Sequence, residues 1–175
     1  MKTLILIRHA KSSWKFPELK DIDRPLNKRG LNDAPLMGKI LKGLNLMPDL
    51  IMSSPSVRTI STAKMIAQEV GFNADQIVAA PGIYLESKSK LLKEINKIDD
   101  RYATVFIVCH NPGITDLANF LTGESLDNIP TCGAFGIQFE SNSWKDVDKK
   151  TGKKMFFEFP KKHKKKVEKT KKQVL

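Results

Sequence analysis

An α/β fold, with a largely parallel central sheet covered by helices on both faces, is what this sequence predicts, and three observations carry the prediction. Two uninterrupted apolar runs, Leu4-Ile5-Leu6-Ile7 and Val105-Phe106-Ile107-Val108, have the pattern of strands buried on both faces. Stretches with apolar residues at helical spacing stand between the candidate strands. The runs end in Arg8-His9 and in His110, and open α/β sheets collect their ligands just past the carboxyl ends of such strands.

Each element follows in order. Residues 14–27 hold Trp14, Pro17, Asp21, Asp23, Arg24 and Pro25 with little periodicity, and a loop covering the crevice is expected. Asn27 is placed to cap a helix built on Leu31, Ala34, Met37, Ile40, Leu41 and Leu44, with Gly43 and Pro48 marking its end. Asp49 to Met52 reads as the second strand and Ser53-Ser54-Pro55 as the turn after it. A periodic helix then runs from Ser56 to Val70 and closes at Gly71. Gln76 to Ala80 is expected as a short third strand, and Lys88 to Ile98 as an amphipathic helix on Leu91, Leu92, Ile95 and Ile98. The fourth strand, Ala103 to Cys109, leads through His110-Asn111-Pro112-Gly113 into a short helix, Ile114 to Leu121. After a loop at 123–132, Ala134 to Phe139 and Lys154 to Phe159 close the sheet.

With 175 residues the chain is large enough for one domain with a substantial core, expected at 1–159, followed by a basic, lysine-rich tail at 160–175. The net charge of +11 belongs mostly to that tail, where eight lysines face one glutamate. Such a tail reads as a solvated, disordered extension. Weak polyanion binding is the sharper alternative, set back by the absence of interleaved aromatics. No apolar run approaches the roughly 20 residues of a membrane span, so no membrane partner is expected. The short apolar stretch at the N-terminus lacks a cleavage site, which makes a cytoplasmic location the default. Cys109 and Cys132 read as reduced, buried thiols.

The chemistry concentrates at strand ends. Of three histidines, His9 and His110 each follow an aliphatic strand, Arg8 stands beside one of them, and His163 lies in the tail. Arg58 falls in the first turn of the second helix, where the free N–H groups already favour an anion and a cation gains nothing from the helix. Arg8, Arg58 and the two imidazoles suit a tetrahedral phosphoryl group, because guanidinium forks are permanently charged and match its oxygens. No phosphate-cradling G-x-x-x-x-G-K-[ST] or G-x-G-x-x-G loop is present. A cysteine phosphatase needs an arginine six positions after its cysteine, and Thr115 and Gln138 stand there instead. A metal held by His9 and His110 would be repelled by both arginines, so neither metal nor cofactor is expected. A histidine nucleophile remains.

Four blocks in this order resemble the histidine phosphatase superfamily, in its small branch of SixA-type phosphohistidine phosphatases. They are Leu6-Ile7-Arg8-His9-Ala10-Lys11-Ser12, Asp23 to Gly30, Ser53 to Ala63, and Val108 to Pro112. The superfamily's Arg-His-Gly is Arg-His-Ala here, a departure the small branch tolerates. The resemblance covers most of residues 1–140 and implies a three-layer αβα sandwich of the phosphoglycerate-mutase-like type. It also implies that His9 attacks phosphorus and becomes transiently phosphorylated, with Arg8, Arg58 and His110 around the phosphoryl oxygens. Many members use a glutamate in the loop after the third strand as general acid. Glu86 stands there, with a solvated loop carboxylate as the alternative role. The implied substrate is protein-borne phosphohistidine or a small phosphoester. A mutase, for which no access-controlling insertion is found, or a non-enzymatic RNA- or phospho-ligand-binding protein are the competing readings.

Overall fold

The computed structural model describes residues 1–164. Strands β1 (Lys2–Arg8), β2 (Leu50–Ser53), β3 (Val78–Ala79), β4 (Thr104–Cys109), β5 (Ala134–Phe139) and β6 (Gly152–Glu158) form one sheet in the order β3-β2-β4-β1-β5-β6. The first four strands of that order run parallel. β5 pairs antiparallel with β1, and β6 antiparallel with β5, at the other edge. The mostly parallel sheet expected from the aliphatic runs is the one observed.

Those runs are unbroken because both faces are covered. Leu4 and Leu6 of β1, with Val105 and Ile107 of β4, pack under α3 (Lys88–Ile95) and α4 (Gly113–Thr122). Ile5 and Ile7, with Phe106 and Val108, pack under α1 (Lys28–Gly43) and α2 (Val57–Val70). Alternate residues of a strand point to opposite faces, so each run feeds two cores.

The helix starts are set as their side chains foretell. Asn27 accepts the Gly30 N–H at 2.9 Å, and Ser56 accepts that of Thr59 at 3.4 Å. Gly71 closes α2 in the left-handed conformation at φ 78°. Gly30 is needed for a different reason. A Cβ there would stand 2.3 Å from the Lys11 carbonyl oxygen, so only glycine lets α1 lie against the segment that follows His9.

Three boundaries differ from expectation. β3 shrinks to two exposed residues because Ala74–Gln76 winds into a 3-10 turn ahead of it. α3 stops at Ile95, and the next side chain, Asn96, donates to the carbonyls of Trp144 and Val147 at 2.7 and 3.0 Å. β6 begins at Gly152 because its register opposes Gly152 to Phe139. Residues 160–164 form a helical turn whose Lys162 and His163 meet Glu158 and whose Lys164 meets buried Asp33 of α1. The rest of the lysine tail, 165–175, lies outside the described residues. Among the described residues no helix is long and apolar enough to cross a membrane.

Candidate active site

Strand register builds the site. Arg8 of β1 pairs with Cys109 of β4, so the next residues of two parallel neighbours, His9 and His110, emerge side by side. Their ring centroids lie 5.2 Å apart at an interplanar angle of 58°. β2 lies on the far side of β4, and its register places Ser54 beside His110, with the Ser54 N–H donating to the Val108 carbonyl.

His9 is fixed in one tautomer. Its Nδ1–H donates to the Ala10 carbonyl at 2.7 Å, leaving Nε2 with a free lone pair. Ala10 is itself held, for its N–H donates to Thr62 Oγ1 of α2 at 3.0 Å. Burial lowers the His9 pKa to about 4. The Ala10 hydrogen bond opposes the shift, and the charges of Arg58, Arg8 and Arg24 reinforce it. His110 is held by Arg58 Nη2, which donates to its Nδ1 at 3.3 Å, and its Nε2–H donates to Ser54 Oγ at 2.7 Å. Burial, with the Arg58 charge next, lowers its pKa to about 3. Both imidazoles are neutral at pH 7.

Three arginines surround this pair. Arg8 Nη1 donates to the Ile129 carbonyl at 2.9 Å and to Asn128 Oδ1 at 3.3 Å, acceptors it shares with the Asn111 side-chain amide. Arg58, 2% exposed, donates from Nη1 to the Asp21 carbonyl at 2.6 Å and from Nη2 to its carboxylate at 2.9 Å. Arg24 donates to the same carboxylate through Nε at 3.2 Å and lies 3.6 Å over the Trp14 ring. Among the described residues the buried side-chain nitrogens and oxygens without a partner are Arg8 Nε, Arg24 Nη1 and Arg58 Nε. One buried nitrogen without a partner on each of three arginines whose charges all act on His9 gives the cluster spare donors for an anion.

Asp21 ties the cations together. Burial alone would raise its pKa, but the Tyr84 hydroxyl at 2.6 Å and the two arginines outweigh it and hold the carboxyl at about 2. Tyr84 also stands edge-on to His110 at 5.5 Å.

The sequence-predicted residues His9, Arg8, Arg58 and His110 are therefore brought to one rim. Glu86 makes no hydrogen bond to them among the described residues. Its carboxylate pairs with Lys90 at 2.9 Å, one helical turn further on. Arg24, Asp21, Tyr84 and Ser54 are the site residues that sequence reasoning did not single out. The available signal was Arg24, lodged between Asp23 and Pro25 in a loop already placed over the crevice. The anion foreseen for Arg58 is, in this structure, the Asp21 carboxylate. Cys109 and Cys132 are free and buried, and burial pushes the Cys109 thiol up to about 12, so neither is a thiolate nucleophile at neutral pH.

The sequence profile of the histidine phosphatase superfamily (branch 1) matches residues 4–82. An uncharacterized chloroplastic protein of Arabidopsis thaliana is 36% identical over 154 residues, covering 83% of this chain and 70% of that one. A solved structure assigned as the phosphohistidine phosphatase SixA of Agrobacterium tumefaciens superposes with a TM-score of 0.77 at 25% identity, over 91% of this chain and 98% of the other. The protein histidine phosphatase SixA complexed with tungstate gives 0.74 at 18% identity, over 92% and 99%. The chain belongs to the histidine phosphatase superfamily. Its small αβα sandwich is similar almost end to end to those of the SixA structures.

Proposed function

We propose that this protein is a phosphatase that removes the phosphoryl group from protein-borne phosphohistidine through a covalent intermediate on His9. The observation that carries the reading is the free Nε2 lone pair of His9, oriented by the Ala10 carbonyl and set among three arginines that each keep one buried nitrogen without a partner. In the first step the Nε2 lone pair attacks phosphorus in line. The P–N bond to the substrate imidazole breaks, and its electron pair leaves on a ring whose distal nitrogen is already protonated. In the second step a water oxygen attacks phosphorus and the bond to His9 breaks. Inorganic phosphate departs with a proton released to solvent.

Arg8, Arg24 and Arg58 take the phosphoryl oxygens through their unmet N–H groups, and His110 exchanges Ser54 for an oxygen. Such preorganised donors act on charge as it develops, and loss of one costs on the order of 100-fold in rate. An imidazole leaving group protonated in advance needs no strong acid, which agrees with Glu86 being engaged by Lys90. The decisive comparison uses wild type and His9→Ala on a chemically phosphorylated histidine protein and a panel of alkyl phosphates. Wild type should release phosphate fastest from the phosphohistidine protein, and His9→Ala from none. Preference for an alkyl phosphate would move the assignment to a small-molecule phosphomonoesterase. The polyanion role proposed for the 160–175 tail is tested by removing residues 165–175, which hold five of its eight lysines. Turnover should persist while salt-sensitive RNA binding is lost.

A further inference from the structure

Beside the phosphoryl position lies a feature that the hydrolytic chemistry does not use. Trp14, Phe16, Pro17 and Leu19, four apolar residues within six positions, line a pocket of about 290 Å³ whose polar wall is Asp21 and Arg24. Trp14, Phe16 and Leu19 are 74%, 46% and 37% exposed. Exposed apolar side chains scattered singly need no explanation, but three on one short loop around a concavity mark a place where something binds.

The pocket is continuous with the anion site. Arg24 stacks on Trp14 and bonds Asp21, Asp21 bonds Arg58, and Arg58 bonds His110. The Arg24 charge reaches both His9 and His110. The stack also holds the Trp14 indole in place before any ligand arrives, which cuts the ordering cost of binding.

We propose that this pocket is a specificity subsite that receives an apolar side chain of the substrate protein, displayed about one helical turn from the phosphohistidine. The inference rests on the phosphohistidine reading above. A polypeptide is the fitting occupant because its phosphorylated imidazole and a neighbouring side chain sit on one surface. On a helix, residues four apart share a face and stand about 6 Å apart along the axis. A leucine-sized group there enters the pocket while the phosphoryl group enters the arginine cluster. The loop therefore selects among phosphohistidine proteins, and the arginines and His9 act on whichever is admitted.

The test uses two alanine-rich helical peptides, each with one histidine phosphorylated by phosphoramidate, and with leucine or serine four residues after it. Titrated into His9→Ala, the leucine peptide should bind about tenfold more tightly than the serine peptide, the scale of a modest apolar difference in a pocket. It should also shift the Trp14 emission to the blue. Trp144 is fully buried and gives no comparable response. In a Phe16→Ser, Leu19→Ser double variant the preference should vanish while turnover of free phosphohistidine stays at the wild-type value. Equal affinities for the two peptides, or a preference that survives the double variant, would overturn the subsite. Phosphate release from the same leucine peptide by wild type tests the parent reading separately. If it is absent while the leucine preference and the Trp14 shift remain, the pocket stands and the phosphatase reading falls.

Discussion

The proposed chemistry turns on His9, and the surroundings of that residue specify a pH profile. A nucleophilic imidazole must be unprotonated, and its pKa of about 4, against 6.5 for a free histidine, keeps it so through the neutral range. The acid limb of kcat/KM for the free enzyme is therefore expected near pH 4, with no inflection near 6.5 from this group. A full pH profile on a substrate that does not itself titrate in that window checks this, and a limb centred near 6.5 would contradict it. Arg24 makes a second prediction. Although it escaped the sequence reading, Arg24→Ala should lower kcat/KM on the order of 100-fold, as Arg58→Ala should, because each removes one unmet donor. Glu86→Gln should leave phosphohistidine turnover unchanged, since its carboxylate is held by Lys90. His9, His110, Arg8 and Arg58 were legible because each adjoins an apolar strand or stands in the first turn of a periodic helix. Asp21, Arg24 and Tyr84 were not. The contacts of Asp21 with Arg58 and Tyr84 span 37 and 63 positions and depend on how an aperiodic loop folds back over α2 and the end of β3.

At the scale of elements, the close approach of α1 to the segment after β1 constrains the site. Gly30→Ala would drive a methyl group into the Lys11 carbonyl and push apart the two pieces that set His9. Destabilisation of about 1–3 kcal/mol is expected, with a lower Tm, as for other overpacked contacts. A variant as stable as wild type would show that the approach is looser than the structure has it. Thr62 on α2 is a positioning residue. It anchors Ala10, whose carbonyl orients His9, so Thr62→Val should lower kcat while leaving KM for substrate nearly unchanged. The strands that carry the candidate catalytic residues were read from sequence because burial on both faces leaves an unbroken apolar run. β3 was over-read because an exposed two-residue strand has no such signature, and α3 because Ile98 stays buried beyond the helix end.

The whole molecule carries a linked acid sensitivity. His9 and His110 have folded pKa values of about 4 and 3, below that of an unfolded histidine, so the unfolded chain binds more protons between those values and 6.5. Their contribution to stability is present above about pH 6.5 and is lost as pH falls toward 4 and 3. Denaturant unfolding at pH 7 and pH 4.5 should show this loss, and His9→Asn should lose less. An equal loss in both would mean that other groups set the acid sensitivity. The sheet order also explains why a site exists at all. β1 and β4 are adjacent and parallel but far apart in sequence, and their shared end delivers two histidines into one crevice. The helix of residues 57–70, the loop of residues 14–27 and the start of α1 then close around it. The most direct measurement is to mix wild type with a phosphohistidine protein, quench in alkali during turnover and locate the phosphoryl group on the enzyme. The account predicts an acid-labile phosphoryl group on His9 in wild type and none on His9→Ala. Turnover without that species, or a phosphoryl group found on His110 with His9 unmodified, would contradict it.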